Sequence, residues 1–295
     1  MVRTREVYAT SNEQSGHPAQ GPPLEEVPKE YEEFKDVFAD PTDEHALPKH
    51  QPWDHEIPLK EGMTPPFLPP YRVSPEDGRI LEEFIQKNLA KGFIRPSSSQ
   101  ARAPTLFAPK PGGGKRLCID FRKLNAMTVR DSYPLPHPDH LRDQLRGAQW
   151  FTQLDLRESY HLVRMKEGEE WKTAFGTPNG HYECLVMWEG LTNAPATMQR
   201  LIHNTLRPHL DTFCVSYLDD ILVYARTKDQ VRQYTKLVFE KLRAAGLRLK
   251  LSKCRFDCQK VTFLGFEVTP NGLAMDQSKV QTVLDWGIPQ TVKDV

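Results

Sequence analysis

Residues 215–225 read Val-Ser-Tyr-Leu-Asp-Asp-Ile-Leu-Val-Tyr-Ala. β-Branched, apolar and aromatic residues flank Asp219 and Asp220 on both sides. Strands are depleted in aspartate, and adjacent like charges repel. In a straight strand the two side chains would point to opposite faces; at a hairpin tip both can approach one point. Taken alone, an Asp-Asp tip is also an ordinary surface turn. A second acid adds meaning: Trp150-Phe-Thr-Gln-Leu-Asp155 is another strand-like run, and it too ends in a carboxylate. Carboxylates brought close together need a cation. Hard divalent ions accept oxygen ligands from few carboxylates and leave positions for water and substrate phosphates. Three carboxylates from two strands suit a two-metal phosphoryl or nucleotidyl transferase.

The chain of 295 residues is long enough for one large domain or two to three subdomains. Its formal net charge is zero, but the charge is uneven. Residues 1–60 carry 13 acids against 6 bases, residues 90–130 carry 9 bases against one acid, and residues 226–255 carry 10 bases against 2 acids. Two basic segments fit a polyanionic partner, although any one of them also reads as a solvated charged face. Five cysteines (118, 184, 214, 254 and 258) are scattered, three of them in apolar runs. Cys254-x-x-x-Cys258 lacks a second pair at zinc spacing. The expectation is a reduced, intracellular chain. There is no apolar run of about 18 residues to span a membrane, and no apolar signal core at the N-terminus.

Residues 1–28 read as a flexible spacer and 29–73 as an extended N-terminal segment, with Tyr31, Phe34, Val37 and Phe38 at helical spacing inside it. Ser74-Pro75 starts a helix that Gly92 closes. "TLFAPK" and "RLCIDF" form a hairpin around Pro111-Gly-Gly-Gly-Lys115. That loop is not a phosphate-binding Walker loop, because Arg116 follows the lysine and a strand follows that. Residues 161–187 alternate like further strands, and Ala194–Leu206 reads as a helix. Residues 228–245 form an amphipathic helix through Val231, Tyr234, Leu237, Val238 and Leu242, and 261–268 a strand pair. His137-Pro-Asp-His140 lacks a third ligand and reads as a loop. Antiparallel strands mixed with helices give an α+β fold.

With these elements in place, the ordered stretches "RLCIDFRKLNAMT", "YPLP", "FTQLDLRESYHLVRMKEGEEWKTAFGTPNGHYECLVM", "GLTNAPATMQ", "YLDDILVY" and "KCRFDCQKVTFLGFEVTPNGLAMDQSKV" resemble the reverse transcriptase of Ty3/gypsy-type long-terminal-repeat retrotransposons, over about residues 45–295. The resemblance implies a right-hand polymerase fold within a Pol polyprotein. First fingers would span 74–133, first palm 134–162, second fingers 163–193, second palm 194–270, and the start of a thumb or connection 271–295. It implies RNA-directed DNA polymerase activity on an RNA or DNA template with primer and deoxynucleoside triphosphates. Asp155, Asp219 and Asp220 would hold two Mg²⁺ or Mn²⁺ ions. Lys110 and Arg116 would close on the triphosphate, with Lys115 a possible helper. Tyr160 would stack under the sugar, and Gln199 would face the template side. Phe263, Leu264 and Gly265 would grip the primer. Lys250 or Lys253 would stand near the pyrophosphate. The implied location is a cytoplasmic virus-like particle or the nucleus, with no membrane partner.

Several positions depart from the family pattern. Trp188-Glu189-Gly190 stands where the family has Pro-Phe-Gly, which puts a glutamate near the incoming nucleotide. Glu158-Ser159 precedes Tyr160 where small residues are usual, and Gly176 and Asn179 replace the customary Arg and Tyr. The chain also ends at Val295, where the family continues into the thumb. The expectation is therefore the fingers and palm of a truncated retroelement polymerase. The alternatives are a catalytically impaired, nucleic-acid-binding remnant of a degenerate element and, with less to support it, a metal-dependent nuclease.

Overall fold

A computed structural model describes residues 24, 26–39, 47–109 and 114–285. The expected spacer at 1–28 lies almost wholly outside these residues, as do Lys110 and 286–295. Along the chain, helix α1 (Lys35–Phe38) is followed by α2 (Pro75–Ala90), strands β1 (Ile94–Pro96), β2 (Thr105–Pro109) and β3 (Lys115–Ile119), and helices α3 (Arg122–Met127) and α4 (Pro138–Gln144). Then come β4 (Trp150–Asp155), β5 (Phe175–Thr177), β6 (Gly180–Cys184), α5 (Ala194–Leu206), β7 (Cys214–Tyr217), β8 (Asp220–Ala225) and α6 (Lys228–Ala244). The last described elements are β9 (Arg255–Cys258), β10 (Val261–Phe263), β11 (Phe266–Thr269), β12 (Gly272–Met275) and α7 (Gln277–Leu284).

An antiparallel sheet ordered β7-β8-β4-β9 positions the acids. Its two faces bury different clusters, and the period-2 alternation of the strands decides which residue goes where. Leu154 of β4 and Ile221, Val223 and Ala225 of β8 join the main core with α5 and α6. Phe151 of β4, Leu222 of β8 and Val215 of β7 join a second cluster with Leu141 and Leu145 of α4 and Phe263 of β10. Asp155 shares the face of Phe151, and Asp220 that of Leu222, so both acids lie on the face opposite α5 and α6.

Three smaller units surround this sheet. β1-β6-β5 form one antiparallel sheet, β2-β3 a hairpin, and β10-β11-β12 a meander. A parallel bridge between Ala103 and Phe175 ties the β2 end to the three-stranded sheet. α2 starts as expected, with the Ser74 side chain accepting from the Asp77 N–H and Pro75 in the first turn. α6 is opened by a capping box between Thr227 and Gln230.

The fold differs from the sequence expectations in three places, while the residues at helical spacing in 29–39 do form a helical stretch: a 3₁₀ turn (Lys29–Phe34) runs into α1 and docks on α6. Tyr31 and Phe34 surround Phe239 at ring separations of 5.5 and 5.3 Å, and Phe38 lies 5.4 Å away. The α6 stripe is rotated from the one read by eye, because Thr235 and Phe239 are buried while Leu237 is exposed. Residues 159–173 contain two 3₁₀ turns rather than strands, leaving only β5 and β6 from the expected run. His137 caps α4 through its Nδ1, so His137–His140 opens a helix and is no loop.

The charge pattern also resolves differently. Much of the basic run at 226–255 is matched within the chain by the acidic N-terminal segment: Arg232 pairs with Glu30 at 2.6 Å, Lys236 with Glu33 at 2.7 Å and Arg243 with Asp36 at 2.5 Å. In the 90–130 run, Lys91 meets Glu158 at 2.9 Å, Arg95 meets Glu183 at 2.7 Å and Arg122 meets Asp120 at 2.6 Å. Acids elsewhere in the chain, and Asp120 within the run itself, thus neutralise part of what looked like polyanion-binding charge.

Phe239→Ala empties a site enclosed by four aromatic rings. Urea unfolding of this variant is expected to show a loss of about 3–5 kcal/mol. A loss below about 1 kcal/mol would mean that the N-terminal turn does not share the core.

Candidate active site

The β7–β8 hairpin turns on two residues. Tyr217 pairs with Asp220, leaving Leu218 and Asp219 at the tip. Leu218 has φ +55°, an uncommon conformation for a residue with a branched side chain, and one that costs roughly 1 kcal/mol or more. The turn is held from behind. The Gln199 Oε1 accepts the Leu218 N–H at 2.7 Å, and Gln199 is fully buried. Its amide nitrogen lies 2.7 Å from His203 Nε2, and His203 Nδ1 lies 3.0 Å from the Tyr133 hydroxyl. This relay from 133 through α5 to the tip fixes where Asp219 and Asp220 begin. Gln199 was expected to face the template side. Its 0% exposure gives it a different part, as the support of the turn.

Asp155 lies directly across from Asp220 in the β4–β8 register. Such cross-strand pairs bring Cβ atoms to about 5 Å. Burial, reinforced by the charges of Asp219 and Asp155, pushes the Asp220 carboxyl up to about 7, against an opposing pull from Lys253. Burial also raises Asp155. The Lys253 Nζ donates to Asp155 Oδ2 at 3.2 Å, while Lys250 gives its backbone N–H to the Asp155 carbonyl at 2.9 Å, and its charge acts on the carboxyl less than that of Lys253. The structure thus distinguishes the two lysines that the sequence left equivalent: Lys253 faces the acids.

Among the described residues, no three His, Cys, Asp or Glu side chains already converge at metal-ligand spacing. The donor set nevertheless suits a hard cation. It consists of carboxylate oxygens only, two of them raised by burial and by mutual repulsion, with an ammonium already drawn to the group.

The remaining expected residues fall around this centre. Arg116 is on β3, its Nη1 4.0 Å from Glu189 Oε2. Lys115 instead pairs with Asp77 of α2 at 2.7 Å, because adjacent strand residues point to opposite faces. Lys110 lies outside the described residues. Tyr160 is in a 3₁₀ turn just beyond β4 and is 5% exposed, its ring within the main core. Phe263 is buried in the second cluster, on the acid-bearing side of the sheet, and Leu264 and Gly265 form the β10–β11 tip with φ +52° and +76°. Two consecutive positive φ values match a tight hairpin turn, and Gly265 supplies one of them without strain. Sequence reasoning missed the supporting roles of His203 and Tyr133. Tyr133 was visible only as part of "YPLP", and His203 only by its place four residues beyond Gln199.

An antiparallel sheet carrying three aspartates at one end, flanked by a fingers-like hairpin and a second hairpin beneath, is the palm of a right-hand polymerase. Residues 108–268 match the reverse transcriptase (RNA-dependent DNA polymerase) family, and the chain belongs to that family. It is 41% identical over 220 residues to the retrovirus-related Pol polyprotein from transposon 297 of Drosophila melanogaster, covering 73% of this chain and 21% of that protein. It is 33% identical over 271 residues to the transposon Tf2-3 polyprotein of Schizosaccharomyces pombe, covering 92% of this chain and 20% of that protein. The chain therefore spans about a fifth of the length of these curated relatives. The resemblance to Ty3/gypsy-type polymerases is borne out by these relatives.

Among solved structures, a foamy viral protease-reverse transcriptase in complex with double-stranded DNA has a TM-score of 0.81 at 21% identity, covering 90% of this chain and 46% of that one. The same enzyme in complex with an RNA/DNA hybrid has a TM-score of 0.79 at 20% identity, covering 90% and 35%. The right-hand α+β fold expected from the sequence is the fold observed.

Asp220 binds its proton more tightly when folded than when unfolded. Without metal, stability therefore falls as pH rises from about 4 toward about 7. Asp220→Asn removes that penalty. In EDTA at pH 8 the variant is expected to melt at a higher temperature than the parent, with the difference closing near pH 4. Equal melting temperatures at pH 8 would contradict the raised carboxyl.

Proposed function

We propose that this chain carries out RNA-directed DNA synthesis, extending the 3′-hydroxyl of a primer by nucleotidyl transfer from deoxynucleoside triphosphates. The single observation that carries the reading is the facing of Asp155 and Asp220 beside the Asp219 turn, in a family of reverse transcriptases. Asp155, Asp219 and Asp220 would hold two Mg²⁺ or Mn²⁺ ions. When bound, the ions lower the pKa of the attacking hydroxyl and neutralise charge on the leaving pyrophosphate.

The protein's own groups do the rest. Asp155 and Asp220 are pinned by the β4–β8 ladder, so only their side-chain torsions need adjust. Lys253 now donates to Asp155, and it would be available to a phosphate once Asp155 holds a metal ion instead. Arg116 would meet the triphosphate from the fingers, with Lys110 as a second contact. Tyr160, immobilised by its packing, would limit the space beneath the sugar. The tip of β10–β11, formed by Leu264 and Gly265, would press the primer strand, and Phe263 would seat that tip on the sheet. Template and primer, as RNA or DNA, would be held through their backbone and shape, with base pairing reading sequence. The foamy viral relatives solved with double-stranded DNA and RNA/DNA hybrid support that substrate class.

One observation favours a second reading, a catalytically impaired remnant that binds duplex without copying it: Glu189 stands 4.0 Å from Arg116. The test is extension of oligo(dT) on poly(rA) with Mg²⁺ and dTTP. The polymerase reading expects incorporation that drops at least about a hundredfold in Asp219→Asn, while duplex binding persists. Salt-sensitive duplex binding with no incorporation by the parent chain would favour the remnant.

A further inference from the structure

We propose that Glu189 is an internal anionic ligand of Arg116, competing with the triphosphate of an incoming nucleotide for the same guanidinium. This rests on the polymerase reading above.

The residues around Glu189 fix its backbone from both sides. Trp188 is buried, its ring 4.3 Å from that of His161 and 5.7 Å from that of Phe84. Gly190, at φ +87°, presents its carbonyl to Asn125 Nδ2 at 2.7 Å, and the Thr192 N–H donates to Asn125 Oδ1 at 2.9 Å. Asn125 belongs to α3, which follows β3 after only two residues, Asp120 and Phe121. The loop bearing Glu189 and the strand bearing Arg116 are thus stapled to one short helix. Between the fixed Trp188 and Gly190, the Glu189 side chain remains partly exposed and reaches Arg116 Nη1 at 4.0 Å.

The pleat of β3 makes this contact selective. Lys115 points to α2 and is occupied by Asp77, so of these two adjacent cations Arg116 is the one facing the palm loop. A long, half-exposed ion pair is weak. A triphosphate with several negative charges must displace Glu189 from Arg116 before it can take the guanidinium. The result is weaker triphosphate binding and an Arg116 held in place between turnovers. Glu189 is accordingly a positioning residue rather than a catalytic one.

The experiment uses the full chain and needs no turnover. Inorganic tripolyphosphate and a 2′-deoxynucleoside triphosphate are titrated calorimetrically into the parent, Glu189→Gln, Glu189→Asp, Arg116→Gln and the Glu189→Gln/Arg116→Gln double variant. Glu189→Gln is expected to bind both probes roughly threefold to tenfold more tightly than the parent. Glu189→Asp, one methylene shorter, is expected to fall between them. In the Arg116→Gln background the gain disappears, which reports coupling between the two side chains. In primer extension, the KM for the nucleotide falls more than kcat changes. Binding by Glu189→Gln within twofold of the parent, undetectable binding by that variant, or a gain that persists without Arg116 would each overturn the proposal. Absence of incorporation by the parent would count against the polymerase reading, while the binding titration would still decide whether Glu189 and Arg116 are coupled.

Discussion

Asp155 faces Asp220 across the β4–β8 ladder, and the rest of the site is arranged around that one pairing. The register is fixed by what lies on either face of the sheet. Leu154, Ile221 and Val223 enter the core beneath α5 and α6, while Phe151, Leu222 and Val215 enter the cluster beneath α4 and β10. A slip of one residue would turn every one of these side chains to the wrong face. The acids are thus placed by the apolar residues beside them, and their mutual repulsion is borne by a sheet buried on both sides. Gln199 adds the last constraint by holding the strained Leu218, so the turn cannot relax away from the acids.

Cations are distributed as tightly as the acids. The basic runs that suggested a polyanionic surface are partly matched by acids brought from elsewhere in the chain. The two bases that the proposed function assigns to phosphates are each near a carboxylate: Lys253 donates to Asp155 at 3.2 Å, and Arg116 lies 4.0 Å from Glu189. Both pairs join partly exposed groups, and such pairs are weak. Under the proposed function, an incoming polyphosphate would replace these contacts.

Much of this was legible in the sequence because it follows from local patterns. "YLDDILVY" and "WFTQLD" read as apolar, strand-like runs broken or ended by acids, and the Asp-Asp pair points to a hairpin tip, which the structure places at Leu218 and Asp219. Ser74-Pro75 carries its helix start in its own side chains. What local pattern could not show depended on partners far away in the chain. The helical spacing of Tyr31 is visible in the sequence, but the pocket that Phe239 forms for it, about two hundred positions later, is not. Charge counts by segment could not show that Arg243 belongs to Asp36. Gln199 carries no sign in its sequence that it supports a turn on another element, since only burial and the Leu218 N–H reveal it. Glu189 was visible as a departure, but its direction was not. The structure turns it toward Arg116 at the fingers.

Under the proposed function, Asp155, Asp219 and Asp220 form one cation site whose charge the protein leaves partly uncompensated. Titration of Mn²⁺ at pH 8, followed by electron paramagnetic resonance, tests it most directly. The parent chain should bind Mn²⁺, and Asp155→Asn, Asp219→Asn and Asp220→Asn should each weaken that binding by at least about tenfold. Lowering the pH toward 5.5 should weaken binding by the parent, as Asp220 takes up its proton. Mn²⁺ binding by Asp220→Asn equal to that of the parent would contradict the account.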